Sequence, residues 1–99
     1  MTTAQADAEA KRRWGEHGYA VDFGYRTPLT LGVGCYGKIG VHGSNVFGMA
    51  REGDWEGAFR EADEFLGGRE LQDNPRWTPE DTRRAREHMH GARMTPGLC

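Results

Sequence analysis

The chain has little cysteine, no long apolar run and no excess of charge of one sign. Cys35 and Cys99 are its two cysteines among 99 residues. Cys99 is the last residue, so the pair makes a poor structural disulfide and a cysteine-stapled secreted scaffold is disfavoured. No stretch approaches the roughly 20 apolar residues that span a bilayer. Met1–Asp7 lacks the basic and apolar regions of a secretory signal. Together these absences predict a cytoplasmic protein with no membrane partner. The 13 Lys and Arg against 15 Asp and Glu leave a net charge of −2, which argues against a dominant basic nucleic-acid surface. The length allows one domain with one core and excludes most multi-part enzyme folds.

Glycine is what the chain has in excess: 15 of 99 residues, about twice the usual share. Charge is uneven as well. Residues 52–64 hold Glu52, Asp54, Glu56, Glu61, Asp63 and Glu64 against Arg60, a local charge of −5. The rest of the chain is close to neutral or slightly basic. Such a block is either a solvated helix face or a docking face for a basic partner.

Residues 3–14 read as a helix, with Ala6, Ala10 and Trp14 on one stripe, a Thr2 or Thr3 cap and a stop at Gly15 or Gly18. Residues 19–26 read as a strand in which Tyr19, Val21, Phe23 and Tyr25 alternate with small or polar residues. Residues 29–36 read as a second strand with Leu29, Leu31, Val33 and Cys35 on one face. Gly37-Lys38 suits a tight hairpin turn into a third strand at Ile39 and Val41. Val46–Met49 either continues that strand past a bulge or forms a fourth. Residues 54–66 give the clearest helix, with Trp55, Ala58, Phe59, Ala62, Phe65 and Leu66 on one stripe, an Asp54 cap and a stop at Gly67-Gly68. Thr78-Pro79-Glu80-Asp81 starts a last helix, peripheral and ending near His90 and Gly91.

The expected fold is therefore α+β: helix, three-stranded (or four-stranded) antiparallel sheet, helix, and an appended C-terminal helix. Residues 1–91 form the domain, with a core at 4–66, the appended helix at 78–90 and a mobile tail at 92–99.

Gly32-Val33-Gly34-Cys35-Tyr36-Gly37 matches G-x-G-x-x-G, but a dinucleotide fingerprint must open a helix, and Lys38–His42 continue in strand period. A sheet reading is more economical. With Leu31, Val33, Ile39 and Val41 facing the helices, the opposite face carries Ala20, Asp22, Gly24, Thr30, Gly32, Gly34, Tyr36, Lys38, Gly40 and His42. Glycine-rich strand faces mark bends or close approaches. The face is then a solvent-exposed twisted sheet, a flat docking surface featuring Tyr36, Lys38 and His42, or a surface hidden by the C-terminal helix. A bare edge on so small a sheet would also allow a homodimer.

Chemistry-bearing clusters are scarce. No C-x-x-C or H-x-x-x-H occurs, and His88 and His90 point about 200° apart on a helix, so no metal or other cofactor is expected. Cys35 falls on the core side and His42 on the other, which disfavours a nucleophile–base pair. Paired carboxylates on a convex helix exclude no water. A non-enzymatic protein follows.

The order helix, three antiparallel strands, helix resembles the double-stranded RNA-binding domain over residues 4–66. That resemblance implies a small RNA-binding module, and the C-terminal helix would add Arg83, Arg84 and Arg86. The family places lysines at the start of its second helix to meet phosphates, where this chain has Glu52, Asp54 and Glu56. Direct nucleic-acid binding is thus disfavoured. A second resemblance lies in Ala10-Lys11-Arg12-Arg13-Trp14-Gly15 and Trp55-Glu56-Gly57-Ala58-Phe59-Arg60-Glu61-Ala62. The pattern is similar to that of small proteins carried by phages and prophages, a group that includes anti-CRISPR proteins. It implies an inhibitor in the host cytoplasm that binds a host protein or ribonucleoprotein complex and blocks a nucleic-acid surface with acidic side chains. The contacts would come from Asp54, Glu56, Arg60, Glu61, Asp63 and Glu64, or from the sheet face.

Overall fold

The computed structural model describes residues 1–24, 29–39 and 45–94, with side chains as far as Glu87. Its order is α1 (Thr3–Trp14), β1 (Gly18–Asp22), β2 (Leu31–Cys35), β3 (Lys38–Ile39), β4 (Val46–Ala50), α2 (Trp55–Leu66), β5 (Gln72–Asp73) and α3 (Pro79–Met94). The fold is α+β. Its main sheet is antiparallel in the order β1-β2-β4, and β3 and β5 form a small second sheet. Among the described residues no helix is long and apolar enough to cross a membrane.

Both core helices start where side chains can satisfy their first amides. Thr2 and Gln5 form a reciprocal capping box on α1, and Asp54 accepts the Gly57 amide at 2.9 Å on α2. The two helices lie against the face of the sheet that carries Ala20, Leu31, Val33 and Cys35. They bury Ala6, Ala10, Trp14, Trp55, Ala58, Phe59, Ala62 and Leu66 there with Phe47. Trp14 meets Phe47 edge-on at 5.2 Å and Phe59 at 5.8 Å. This core is the one expected from the two helical stripes and from the second strand.

Gly48 sets how closely α2 approaches. A Cβ there would stand 2.1 Å from the Ala58 carbonyl oxygen and 2.7 Å from the Ala62 amide nitrogen. The helix backbone rests directly on β4.

The first strand is out of phase with the expectation. Directly opposed residues of an antiparallel pair share a face, and the register sets Tyr19 opposite Gly34, Val21 opposite Gly32 and Ala20 opposite Val33. Ala20 therefore faces the helices. Tyr19 and Val21 lie on the glycine face and fill it. The ring of Phe23 lies 3.0 Å from where a Gly32 Cβ would be, and the Tyr19 hydroxyl 2.8 Å from a Gly34 Cβ. Tyr36, 2% exposed, stacks on Tyr19 at 4.5 Å and is followed by Trp77 at 6.2 Å. Val46 and Ala85 complete this second cluster. The face expected to be bare is an interior, covered by Tyr36, by Trp77 of the connector and by Ala85 of the C-terminal helix.

Two further expectations change. Lys38–Ile39 does not extend the main sheet. It pairs with Gln72–Asp73, leaving Ile39 44% exposed. The place beside β2 belongs to β4, whose pairing skips a residue between Val33 and Gly34. The Val46–Met49 segment is thus the third strand of the main sheet. Leu29, expected in the core, is 45% exposed because the ladder ends at the Thr30 amide, which donates to the Ala50 carbonyl at 3.0 Å. The last helix runs through Gly91 to Met94. Val41, His42 and residues 95–99 lie outside the described residues.

Replacing Gly48 by alanine forces either β4 or α2 to move, since backbone rather than a flexible side-chain tip occupies the space. The expected loss of stability is about 2–3 kcal/mol, read from urea unfolding. An unchanged midpoint would contradict the close approach.

Candidate functional site

The acidic face of α2 is assembled by helix geometry alone. At about 100° per residue, Asp63, Glu56, Arg60, Glu64 and Glu61 follow one another around the outer side of the helix. Trp55, Ala58, Phe59, Ala62 and Leu66 take the inner side. All five outer residues are exposed. The fold uses two members of the predicted set for itself. Asp54 caps the helix, and Asp63 pairs with Arg13 of α1 at 3.2 Å. Arg13 is held in turn by Glu9 at 2.7 Å and lies 4.6 Å above the Phe59 ring. Glu56, Glu61 and Glu64, with Arg60 among them, form the remaining exposed part. Beside it lies a shallow groove of about 340 Å³ lined by Leu29, Met49, Arg51, Arg60, Glu61 and Glu64.

The predicted sheet-face set does not come together as a surface. Tyr36 is inside the second cluster. The Lys38 side chain, 12% exposed, is paired with Asp73. His42 lies outside the described residues. The arginines also separate. Arg83 pairs with Glu80 and with Glu87, the latter at 2.7 Å, and Arg84 approaches Glu80 at 3.5 Å. Arg86 turns inward, donating to the Gly18 carbonyl at 2.7 Å and standing 3.4 Å from Asp7.

Sequence reading missed a polar junction beside the second cluster. The Trp77 indole N–H donates to the Thr82 hydroxyl at 2.6 Å, and that hydroxyl lies 2.7 Å from His17 Nδ1. The three residues join the α1–β1 turn, the connector after β5 and the first turn of α3. Hydroxyl and imidazole in a row superficially suggest a nucleophile and its base. Thr82 is only 7% exposed, and its oxygen already accepts the indole proton, so the row serves as a tie between elements. A cleft of about 340 Å³ opens next to it, lined by Trp14, Glu16, His17, Lys38, Asp73 and Trp77. Of its charged groups the Lys38 ammonium pairs with Asp73, and Glu16 lies 3.5 Å from His17 Nε2. The available signal for this junction was Trp77 immediately before the Thr78 cap, with Thr82 one turn on.

Cys35 sits in the core, 1% exposed, and burial pushes its thiol up to about 11, so it stays protonated at neutral pH. Among the described residues no three His, Cys, Asp or Glu side chains converge as a metal ion would require. Comparison of the chain with protein-family models, curated proteins and solved structures finds no match in any of the three. What fold and surface define together is a small α+β domain that presents a charged helix.

Asp7 is the carboxylate most involved in the fold. Burial alone would raise its pKa, but the Lys11 ammonium, the Ala20 amide and the Arg86 guanidinium together hold it below the ordinary 3.8. A carboxylate lowered in the folded state stabilises the fold above its unfolded pKa, and that contribution is lost as pH falls through the folded value. Wild type should therefore exceed Asp7→Asn in urea midpoint by a constant margin at neutral pH, and the margin should close below pH 3.8. A margin independent of pH down to acid unfolding would rule out the ion pairs as its source.

Proposed function

We propose that the chain is a non-enzymatic binding protein and that the outer face of α2 is the surface it presents to a basic partner. The observation that carries this reading is the exposure of Glu56, Glu61 and Glu64 on one helix whose position is fixed by the Gly48 contact. A rigid acidic helix offers charge complementarity without an ordering cost, which speeds encounter and sets register. The finer form of the proposal follows from the resemblance to phage-borne proteins. The partner is a host defence ribonucleoprotein, such as a type I CRISPR surveillance complex. The helix occupies a surface that otherwise contacts nucleic acid. In the resembling segments, Ala10, Trp14, Trp55, Ala58, Phe59 and Ala62 are core residues. Those positions serve this chain's own core, so contacts with a partner fall to the exposed acids between them.

The second reading, a duplex-RNA module, is favoured by one observation: the main sheet and its two core helices follow the order helix, three antiparallel strands, helix. Against it stands the start of α2, where exposed Glu52, Asp54 and Glu56 would meet phosphates with the wrong sign.

The test is capture of host proteins or ribonucleoproteins by wild type and by Glu56→Lys/Glu61→Lys/Glu64→Lys. Exposed charges contribute at most about 1 kcal/mol each to stability, so the variant should fold. Wild type should capture a partner in a salt-sensitive way, the partner's nucleic acid should compete, and the variant should lose capture. Equal capture by the variant at moderate salt would remove α2 from the interface. A gel shift with duplex RNA at low and physiological salt separates the second reading: a wild-type complex at physiological salt would favour RNA over the protein partner.

A further inference from the structure

Among the described strands β1 forms one outer edge of the main sheet, and its backbone shows which groups face outward. The Phe23 amide donates inward to the Thr30 carbonyl at 2.8 Å. By antiparallel alternation Tyr19 and Val21 also turn their amides and carbonyls toward β2, and Gly18, Ala20 and Asp22 turn theirs away. An outward row of this kind is a template for another strand. Sheet proteins usually blunt it with proline, lysine or a bulge. Gly18-Tyr19-Ala20-Val21-Asp22 has none of these, and its pairing with β2 is regular.

The edge is closed by coverage: Gly18–Val21 are buried, the Gly18 amide donates to the Gly15 carbonyl at 2.9 Å, and side chains of two other elements reach the outward groups. The Ala20 amide donates to Asp7 Oδ1 of α1 at 3.1 Å, and Arg86 of α3 donates to the Gly18 carbonyl at 2.7 Å. Arg86 also stands 3.4 Å from the same Asp7 oxygen. One ion pair thus occupies two consecutive outward positions of the strand. The helix that carries Arg86 is strongly polar, and through its described side chains it is tied down by few groups. These are Ala85 on the second cluster, the Thr82 junction with Trp77 and His17, and Arg86 itself.

We propose that Asp7 and Arg86 form a releasable clip on the β1 edge, and that opening it lets β1 pair antiparallel with β1 of a second copy of this chain. A two-fold axis at Ala20 sets Ala20 against Ala20 and the Gly18 carbonyl against the Asp22 amide of the second copy, while the Gly18 amide stays with Gly15. The residues at that seam are small, and the two main sheets become one of six strands. The clip keeps the edge closed, with α1 carrying its Asp7 half and α3 its Arg86 half.

Sedimentation velocity of Asp7→Ala/Arg86→Ala from micromolar to near-millimolar concentration tests this against wild type. Asp7→Ala/Thr82→Val provides a second route, because it clears the Ala20 amide and loosens α3 through the junction. The expected result is a dimer constant tightened by roughly tenfold or more in whichever of the two variants keeps the far-UV circular dichroism of the fold. Asp22→Pro removes an outward amide where an edge strand tolerates proline, and added to the same variant it should return the chain to monomer. Folded variants that remain monomeric at the highest concentration would overturn the proposal. A dimer that Asp22→Pro leaves intact would overturn it equally.

Discussion

The architecture depends on the absence of side chains at a few points of backbone approach. Gly48 lets α2 rest on β4, and Gly32 and Gly34 leave room on the opposite face for Phe23 and Tyr19. A methyl group at Gly34 would stand 1.8 Å from the Asn45 carbonyl oxygen, a distance no packing adjustment of side chains relieves. Because those positions are empty, three strands can carry an apolar layer on each side. The helices cover one layer, and Trp77 and α3 cover the other. A 99-residue chain gains a second buried cluster in this way instead of exposing half its sheet to water.

Much of the fold was legible because helical stripes and caps act locally. Ala6, Ala10 and Trp14 are buried as their spacing requires, as are Trp55, Ala58, Phe59, Ala62 and Leu66, with Phe65 of the same stripe partly buried against them. Leu31, Val33 and Cys35 face the helices for the same reason. The first strand was misphased because its large apolar set, Tyr19, Val21 and Phe23, was expected on the helix side and lies on the other. Alternation distinguishes two faces but does not say which of them meets a given helix. Cross-strand register decides that, and it depends on pairing between residues far apart in sequence. The apparent hairpin at Gly37-Lys38 failed similarly. Ile39 has strand period, but β4 occupies the neighbouring position and leaves Ile39 to pair with Gln72.

The candidate site was legible only in part. The acidic arc on α2 follows from helical angle and charge, and Glu56, Glu61 and Glu64 are exposed as expected. That Asp54 and Asp63 serve as cap and ion-pair partner follows from contacts at the helix start and with Arg13. The roles of Arg86 and Thr82 were invisible, since each depends on a main-chain or side-chain partner more than 60 positions away. An arginine counted as a nucleic-acid contact from composition is, in the fold, a hydrogen-bond donor to a strand edge.

The central claim is that the glycine face of the sheet is interior, closed by Trp77 and α3. Burial holds the phenol of Tyr36 up to about 12 and that of Tyr19 higher still, with the Tyr36 ring beside it contributing. The most direct measurement is the pH titration of these two phenols by ring-carbon NMR, with far-UV circular dichroism followed in parallel. The account predicts that neither ionises until about pH 12 or until the fold is lost. Ionisation of either near the ordinary 10.0 in the folded protein would show a face open to water and would contradict it.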